Sequence, residues 1–261
     1  MTPQLTDRHA LALHRRRATP DGLFLHDLVA AETQERLNEV NRTFTDAVVV
    51  TPFAEAWAGF ETVPDAELLD LRPASQDLVI HALCLHWADD PVGQIVQARR
   101  ALRPDGLFLC ATFGGQTLYQ LRAVLAEAEA AVSGGLSPRV LPMGEIRDLG
   151  ALVQRSGLAL PVADADTRTV RYRDALHLMR DLRGMGETSA LAARPRRFTR
   201  RAVVLEAARR YQAAFADAEG RIPATFEIVW LTGWAPAEGQ QQPLRPGSAT
   251  HSLADALRPK D

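Results

Sequence analysis

The sequence predicts an α/β fold with a mostly parallel sheet, on three observations. Asp77 to Leu118 reads as strand, turn, helix, turn, strand, and two buried-looking strands joined by a helix make a right-handed βαβ unit. Two more apolar runs, Asp46 to Thr51 and Thr225 to Trp234, supply a strand before that unit and one after it. The chain has 261 residues, 46% apolar and 24% charged, which suits one large α/β domain with an appended helical piece.

Taken in order, residues 1–20 are polar and basic, with Arg15, Arg16 and Arg17 in succession. They read as a solvated arm, or as one touching an acidic partner or a membrane surface. Phe24 to Asn41 is an amphipathic helix, with Leu25, Leu28, Val29, Leu37 and Val40 on one side. Arm and helix make up residues 1–43, ahead of a domain over 44–235. The first strand is Asp46 to Thr51. Pro52 and Phe53 follow it, and no glycine occurs until Gly59. Only Phe60 to Pro64 stands between this segment and Asp65, so the N-terminal half is short and no strand is assigned there.

Asp77 to Leu85 is a strand buried on both faces. Pro91 opens a helix, where its missing N–H would be unpaired in any case. Val92, Ile95, Val96 and Leu102 share one face of it, and Arg99, Arg100 and Arg103 suit its negative end. Arg103 to Gly106 reads as a turn, and Leu107 to Phe113 as the next strand, ended by Gly114 and Gly115. Thr117 is placed to cap a helix carrying Leu118, Leu121, Val124, Leu125 and Ala128. Glu145 to Ser156 is a further helix stopped by Gly157, and Leu158 to Asp164 a strand. Asp174 caps a helix through Leu176, Met179 and Leu182, and Thr199 one through Val204, Ala208, Tyr211 and Phe215. These helices form an insert over about 164–220 whose second half is rich in arginine. Residues 236–261 read as an extended tail.

The bulk numbers exclude some functions. Thirty basic and 32 acidic residues leave a net charge of −2, which gives no global case for nucleic acid. Cys84 and Cys110 both fall in buried strands, so the chain is expected to carry no disulfide and to work in a reducing compartment, the cytoplasm. No apolar run approaches the roughly 20 residues that span a bilayer. The N-terminus lacks the apolar segment of a secretory signal. His81 and His86 have no third ligand nearby, so no metal site is assigned.

The wording of these elements adds a family. Leu85-His86-Trp87-Ala88-Asp89-Asp90-Pro91 and Ala101 through Gly115 closely resemble the fourth and fifth strands of class I S-adenosylmethionine-dependent methyltransferases. Phe113 to Leu118, Gly135 to Pro138, Asp148 to Gly150, Met179 to Glu187, Pro223 to Trp234 and Arg245 to Thr250 continue the resemblance in the same order. Within that class the chain is similar to the methyltransferase-like assembly factors of respiratory complex I, and more distantly to the malonyl-acyl-carrier-protein methyltransferases of biotin synthesis.

The resemblance implies a Rossmann-like class I methyltransferase fold, with an antiparallel last strand. It implies S-adenosylmethionine as cofactor, held beyond the carboxyl ends of the first strands, where open α/β sheets bind ligands. Candidate cofactor residues on matching positions are Thr51, Asp65, Ala66, His81, Ala82, Leu83, His86 and Trp87. Asp65 takes the place of the acid that contacts the adenine amino group. His86 and Trp87 lie at the ligand mouth, although a structural hydrogen bond for His86 and helix-to-sheet packing for Trp87 are the favoured readings. No catalytic residue is assigned.

One departure stands out. The family carries a glycine-rich turn after the first strand, because glycine lets the backbone touch the cofactor and the following helix offers free N–H groups. Here Thr51-Pro52-Phe53-Ala54 occupies that turn. The acid that holds the ribose hydroxyls at the end of the family's second strand has no counterpart either. The function expected is therefore methyltransferase-like, acting on a protein or carrier-bound acceptor. The alternative is a non-catalytic or hydroxylase-type assembly factor whose partner is a respiratory-complex subunit.

Overall fold

The computed structural model describes residues 4–240. Its centre is a six-stranded sheet made of β1 (Ala47–Val50), β2 (Glu61–Val63), β3 (Gln76–Ala82), β4 (Leu102–Phe113), β5 (Ala159–Tyr172) and β6 (Ile222–Trp234), in the order β2-β1-β3-β4-β6-β5. The first four strands run parallel, and β6 is antiparallel to both its neighbours, β4 and β5.

Side chains alternate across this sheet with period two, so successive residues feed two cores. Val49, Leu78, Ile80, Leu109 and Trp230 face one core, shared with α2 (Phe24–Glu39), α4 (Tyr119–Ser133), α6 (Ala175–Gly184) and α7 (Arg201–Phe215). Val48, Val50, Val79, Phe108 and Leu231 face the other, covered by α3 (Pro91–Ala101) and α5 (Ile146–Arg155). The helix predicted after Asp90 starts as expected. Pro91 is its first residue, and the Asp90 side chain accepts from Gly93 N at 2.8 Å. Asp174 caps α6 in the same way, through His177 N at 2.7 Å.

The structure differs from the sequence reading in several places. Glu61–Val63, assigned to no strand, forms the sheet edge beside β1. Arg103 to Gly106, expected as a turn, is absorbed into β4, with Asp105 at φ 62° making the local adjustment. β5 extends to Tyr172 because β6 offers a full antiparallel partner, so the helical insert begins only at Ala175. Thr117 does not cap α4. Its hydroxyl donates to Glu227 O and accepts from Glu227 N, both at 3.1 Å, which pins the turn to β6. Thr199 does not cap α7, and its hydroxyl accepts from Arg139 Nη1 at 2.8 Å.

The N-terminal arm is not a solvated tail in the described residues. Asp7 caps α1 (Arg8–Arg15) through Ala10 N, and also takes Arg194 and Arg196. Leu5 O, Asp7 N and the Thr6 hydroxyl bond the arm to Ala192, Ala190 and Trp87, and Leu11 is buried. Arg194 and Arg196, two arginines of the insert, are thus neutralised within the chain. The Arg245 to Thr250 motif and most of the expected tail lie outside the described residues. No helix among the described residues is long and apolar enough to cross a membrane.

Candidate functional site

β1 and β3 end side by side, with Val50 opposite His81. Beyond β1, Thr51 turns the chain through a hydrogen bond from Phe53 N to its hydroxyl at 3.2 Å. Phe53 then folds inward and is 4% exposed, with its ring edge-on to His26 at 4.8 Å. Trp57, four residues further on, is also buried and lies edge-on to Phe60. Beyond β3, Leu83 is fully buried at φ 46°, a left-handed conformation that costs a side-chain-bearing residue about 1 kcal/mol or more. It is held there by its N–H on Ala111 O at 2.8 Å.

Charged groups close over these strand ends. Arg15 of α1 reaches Asp65 at 2.6 Å, and Arg8 reaches the same carboxylate at 3.4 Å. Both partners of the shorter pair are nearly buried. Burial works against the Arg15 charge, but Asp65 and Glu187 outweigh it and raise its pKa. Gly186 permits this close packing. A Cβ there would lie 3.2 Å from Arg15 Cα and 3.2 Å from the tip of Phe53, at φ 81°. His81 sits in the core, with Nε2 3.4 Å from Gln94 Oε1 and Nδ1 3.4 Å from Cys84 Sγ. Burial lowers the pKa of His81, and separately of His26, to about 4, so both are neutral.

Glu187 follows directly. One of its oxygens, Oε2, accepts from Trp87 Nε1 at 2.8 Å and lies 3.2 Å from His86 Nε2. Burial opposes its charge, but His86, Arg15 and the Trp87 hydrogen bond prevail and hold the carboxyl below its ordinary range. The other oxygen, Oε1, is buried and has no hydrogen-bond partner. Glu187 forms part of the wall of a cavity of about 270 Å³ between α4, α6 and α7. The rest of the wall is mainly apolar, with Phe113, Leu121, Met179, Leu182, Met185 and Phe226 prominent. Arg139 also lines it and is spent on Glu129 at 2.5 Å, while Arg183 is exposed.

The eight predicted site residues therefore divide. Thr51, His81, Ala82 and Leu83 gather at the strand ends, all buried against their own chain. Asp65 is engaged by two arginines, and Ala66 gives its carbonyl to Gln94 Nε2 at 2.8 Å. His86 and Trp87 converge on Glu187, and Trp87 alone of the eight lines the cavity. Sequence reasoning missed Glu187, Arg15 and His26 as site residues. A lone carboxylate after Gly184-Met185-Gly186, inside a run of arginines, was the available signal for Glu187. Nothing local marked His26, and Arg15 stood out only as part of the basic run in the arm.

A nucleoside cofactor does not fit the end of β1. The backbone there is not bare, because Phe53 and Trp57 fill the space, and Asp65 already has its donors. The three-residue 3-10 turn at Ala54–Ala56 presents no helix N-terminus. Among the described residues, no three His, Cys, Asp or Glu side chains cluster as a metal site.

Comparison with known proteins agrees with the architecture. Residues 29–110 match a family model described as a methyltransferase domain. The chain is 38% identical over 191 residues to the arginine-hydroxylase NDUFAF5, mitochondrial, of Danio rerio, covering 73% of this chain and 59% of that protein. For the human protein of the same name the values are 38%, 73% and 55%. A malonyl-[acyl-carrier protein] O-methyltransferase from Xylella fastidiosa is 34% identical over 172 residues, covering 66% of this chain and 56% of that enzyme. The chain thus spans little more than half the length of these relatives. A solved putative methyltransferase from Bacillus halodurans superposes with a TM-score of 0.50 at 13% identity, over 78% of this chain and 98% of that one. Strand order, antiparallel β6 and sequence likeness together make this chain a member of the class I methyltransferase-like family, related to both the arginine hydroxylase and the acyl-carrier methyltransferase.

Proposed function

We propose that the chain is a methyltransferase-like binding protein that takes one side chain of a protein partner into the α4–α6–α7 cavity, without S-adenosylmethionine at the end of β1. The observation that carries this reading is Glu187, a carboxylate among the residues lining a mainly apolar cavity, whose Oε1 is buried and has no hydrogen-bond partner. A buried acceptor without a donor is costly, and a carboxylate is the costliest kind. A ligand that brings an N–H donor or a positive charge removes that cost. The cavity, at about 270 Å³, falls just below the range of roughly 300–1,000 Å³ that suits drug-sized ligands, which favours a single side chain. An arginine matches both requirements, with an apolar stem against Leu121 and Met179 and a guanidinium fork on Glu187.

The names of the two kinds of relative support this choice unequally. A malonyl group would bring a carboxylate against Glu187, like charge against like. The arginine named for the hydroxylase would bring its complement. Arg183 at the cavity suits an acidic residue elsewhere on the same segment. A respiratory-complex subunit is the partner this reading prefers. Cys84 and Cys110, free and buried, suit a reducing cytoplasm.

Titration calorimetry with N-acetylarginine amide and with hexanoate tests the proposal. The arginine analogue should bind, the acid should not, and Glu187→Gln should weaken the arginine analogue at least tenfold. Equal binding of the two, or an indifferent Glu187→Gln, would overturn the assignment. Heat from S-adenosylhomocysteine, lost on Asp65→Ala, would overturn the cofactor half of it.

A further inference from the structure

We propose that the surface around Phe198 is a docking site for an anionic phospholipid membrane. Phe198 is 101% exposed, more than any other large apolar side chain among the described residues. Leu205, one turn into α7 from Arg201, is 49% exposed, and Leu136 is 72% exposed. The hydrogen bond from Arg139 Nη1 to the Thr199 hydroxyl ties the loop that carries Leu136 to the Phe198 segment. Leu136 and Phe198 thus come from separate stretches tied together by that bond, and Leu205 lies on the helix that follows Phe198.

Arginines surround them. Arg197, Arg200 and Arg201 are exposed, and none has a carboxylate within ion-pair distance among the described residues. The neighbouring arginines differ. Arg194 and Arg196 are held by Asp7, and Arg209 and Arg210 by Glu206. Within the stretch from Arg194 to Arg210, the arginines in no ion pair are thus the three that flank Phe198, on a chain whose net charge is −2.

The chemistry of that surface selects its partner. Guanidinium groups attract anionic headgroups, and an aromatic ring at the same level enters the headgroup boundary. A protruding ring suits a soft, deformable surface, since a protein partner would have to present a pocket for it. Nucleic-acid binding by stacking usually places aromatics within a charged groove that tracks the backbone; the recess beside Phe198 is only about 20 Å³, and its ring is fully exposed. Arg139 and Thr199 line the cavity as well as the surface beneath Phe198, so docking would set the cavity beside the membrane. The inference goes beyond the proposed function and does not depend on what the cavity holds.

The test is co-sedimentation of the full chain with vesicles of phosphatidylcholine alone and of phosphatidylcholine with one quarter phosphatidylglycerol. Binding is expected only to the anionic vesicles, and should be released by about 0.5 M salt, where screening shortens to a few ångströms. Phe198→Ala should lower the partition coefficient about tenfold. Replacing Arg197, Arg200 and Arg201 together by serine should lower it about a hundredfold, at roughly fivefold per arginine. All four side chains are exposed, so thermal melting of the variants should match the parent. Failure to bind the anionic vesicles would overturn the proposal, as would equal binding by the parent and both variants. Binding to single-stranded RNA or to polyglutamate with none to vesicles would overturn it too.

Discussion

Replacing Phe53 by alanine should cost the fold about 3 kcal/mol, and S-adenosylhomocysteine should return none of it. Phe53 is 4% exposed. A buried aromatic side chain removes about 150–250 Å² from water, worth about 4–6 kcal/mol at 25 cal/mol per Å². A realistic unfolded chain already hides part of that area, which trims the figure to about 3–4 kcal/mol. The edge-on contact with His26 is lost as well, and partial collapse of the turn after Thr51 offsets some of the cost. Urea denaturation would read a loss of this size as a fall in midpoint of about 1–1.5 M, for a slope of about 2–3 kcal/mol/M. The ligand arm of the assay is as informative. A site with cofactor at a hundred times its Kd would gain about 2.7 kcal/mol, and the expected gain is nil. A cost below about 1 kcal/mol would mean that Phe53 is a loop residue able to move aside. Stabilisation of the parent by the cofactor would show that the end of β1 opens. Either result would refute the reading of this region as core.

Other perturbations separate the same alternatives. Asp65→Ala should destabilise by about 3 kcal/mol, because Arg15 would be left charged and nearly buried, and thermal or urea melts would register it. Removing residues 1–17 should cost more than Asp65→Ala in the same assay, since it also strips Leu11 from the core and Asp7 from Arg194 and Arg196. Stability should fall in acid. His26 and His81 are buried neutral with pKa about 4, while the unfolded chain binds their protons near 6.5. Between those values the unfolded state holds more protons, so stability rises with pH, is complete above about 6.5 and declines toward 4. The two together give a slope of up to about 2.7 kcal/mol per pH unit, and His26→Gln should halve it in urea midpoints measured from pH 7 to 4.5.

Much of the fold was legible because local chemistry and tertiary fate agreed. The Asp90-Pro91 start of α3, the Asp174 cap of α6 and the buried strands on either side of α3 needed no distant partner to be recognised. The misses share one cause. Thr117 looked like a cap because threonine caps helices, but Glu227, 110 residues away, offered both a donor and an acceptor. β5 ended early in the reading because Asp164 to Arg171 is polar. Its backbone continues because β6 pairs with it, whatever the side chains. The same limit applied to the site. Thr51, His81 and Leu83 could be placed at the strand ends from topology, whereas Arg15 and Glu187 reach that region from opposite ends of the chain. Polar residues in loops and arms carry no period, and only the folded chain reveals what they meet.

The missing glycines, the docked arm and the closed strand ends follow from one another. Val50 and Glu61 bound a connection of ten residues between two adjacent parallel strands, near the shortest that such a crossover allows. Ten residues cannot hold a packed helix together with the turns that enter and leave it, so the connection carries only the short 3-10 turn at Ala54–Ala56. Without that helix there are no free N–H groups to receive a nucleoside and no cover for the face of β1. The exposed volume must then be filled, because an apolar void costs about 24 cal/mol per Å³. Phe53 and Trp57 fill it from the connection itself. Asp65, stripped of a ligand, would be a nearly buried carboxylate without a donor, and α1 supplies Arg15 and Arg8. Glu187, which also lines the cavity, is drawn into the same layer by Trp87 and His86, but its second oxygen is left buried with no donor. The short connection thus accounts for how the strand ends are filled and for the Arg15–Asp65 pair, while Glu187, the buried carboxylate shared between this layer and the cavity, keeps one oxygen without a partner, and that is why the proposed function is placed in the cavity.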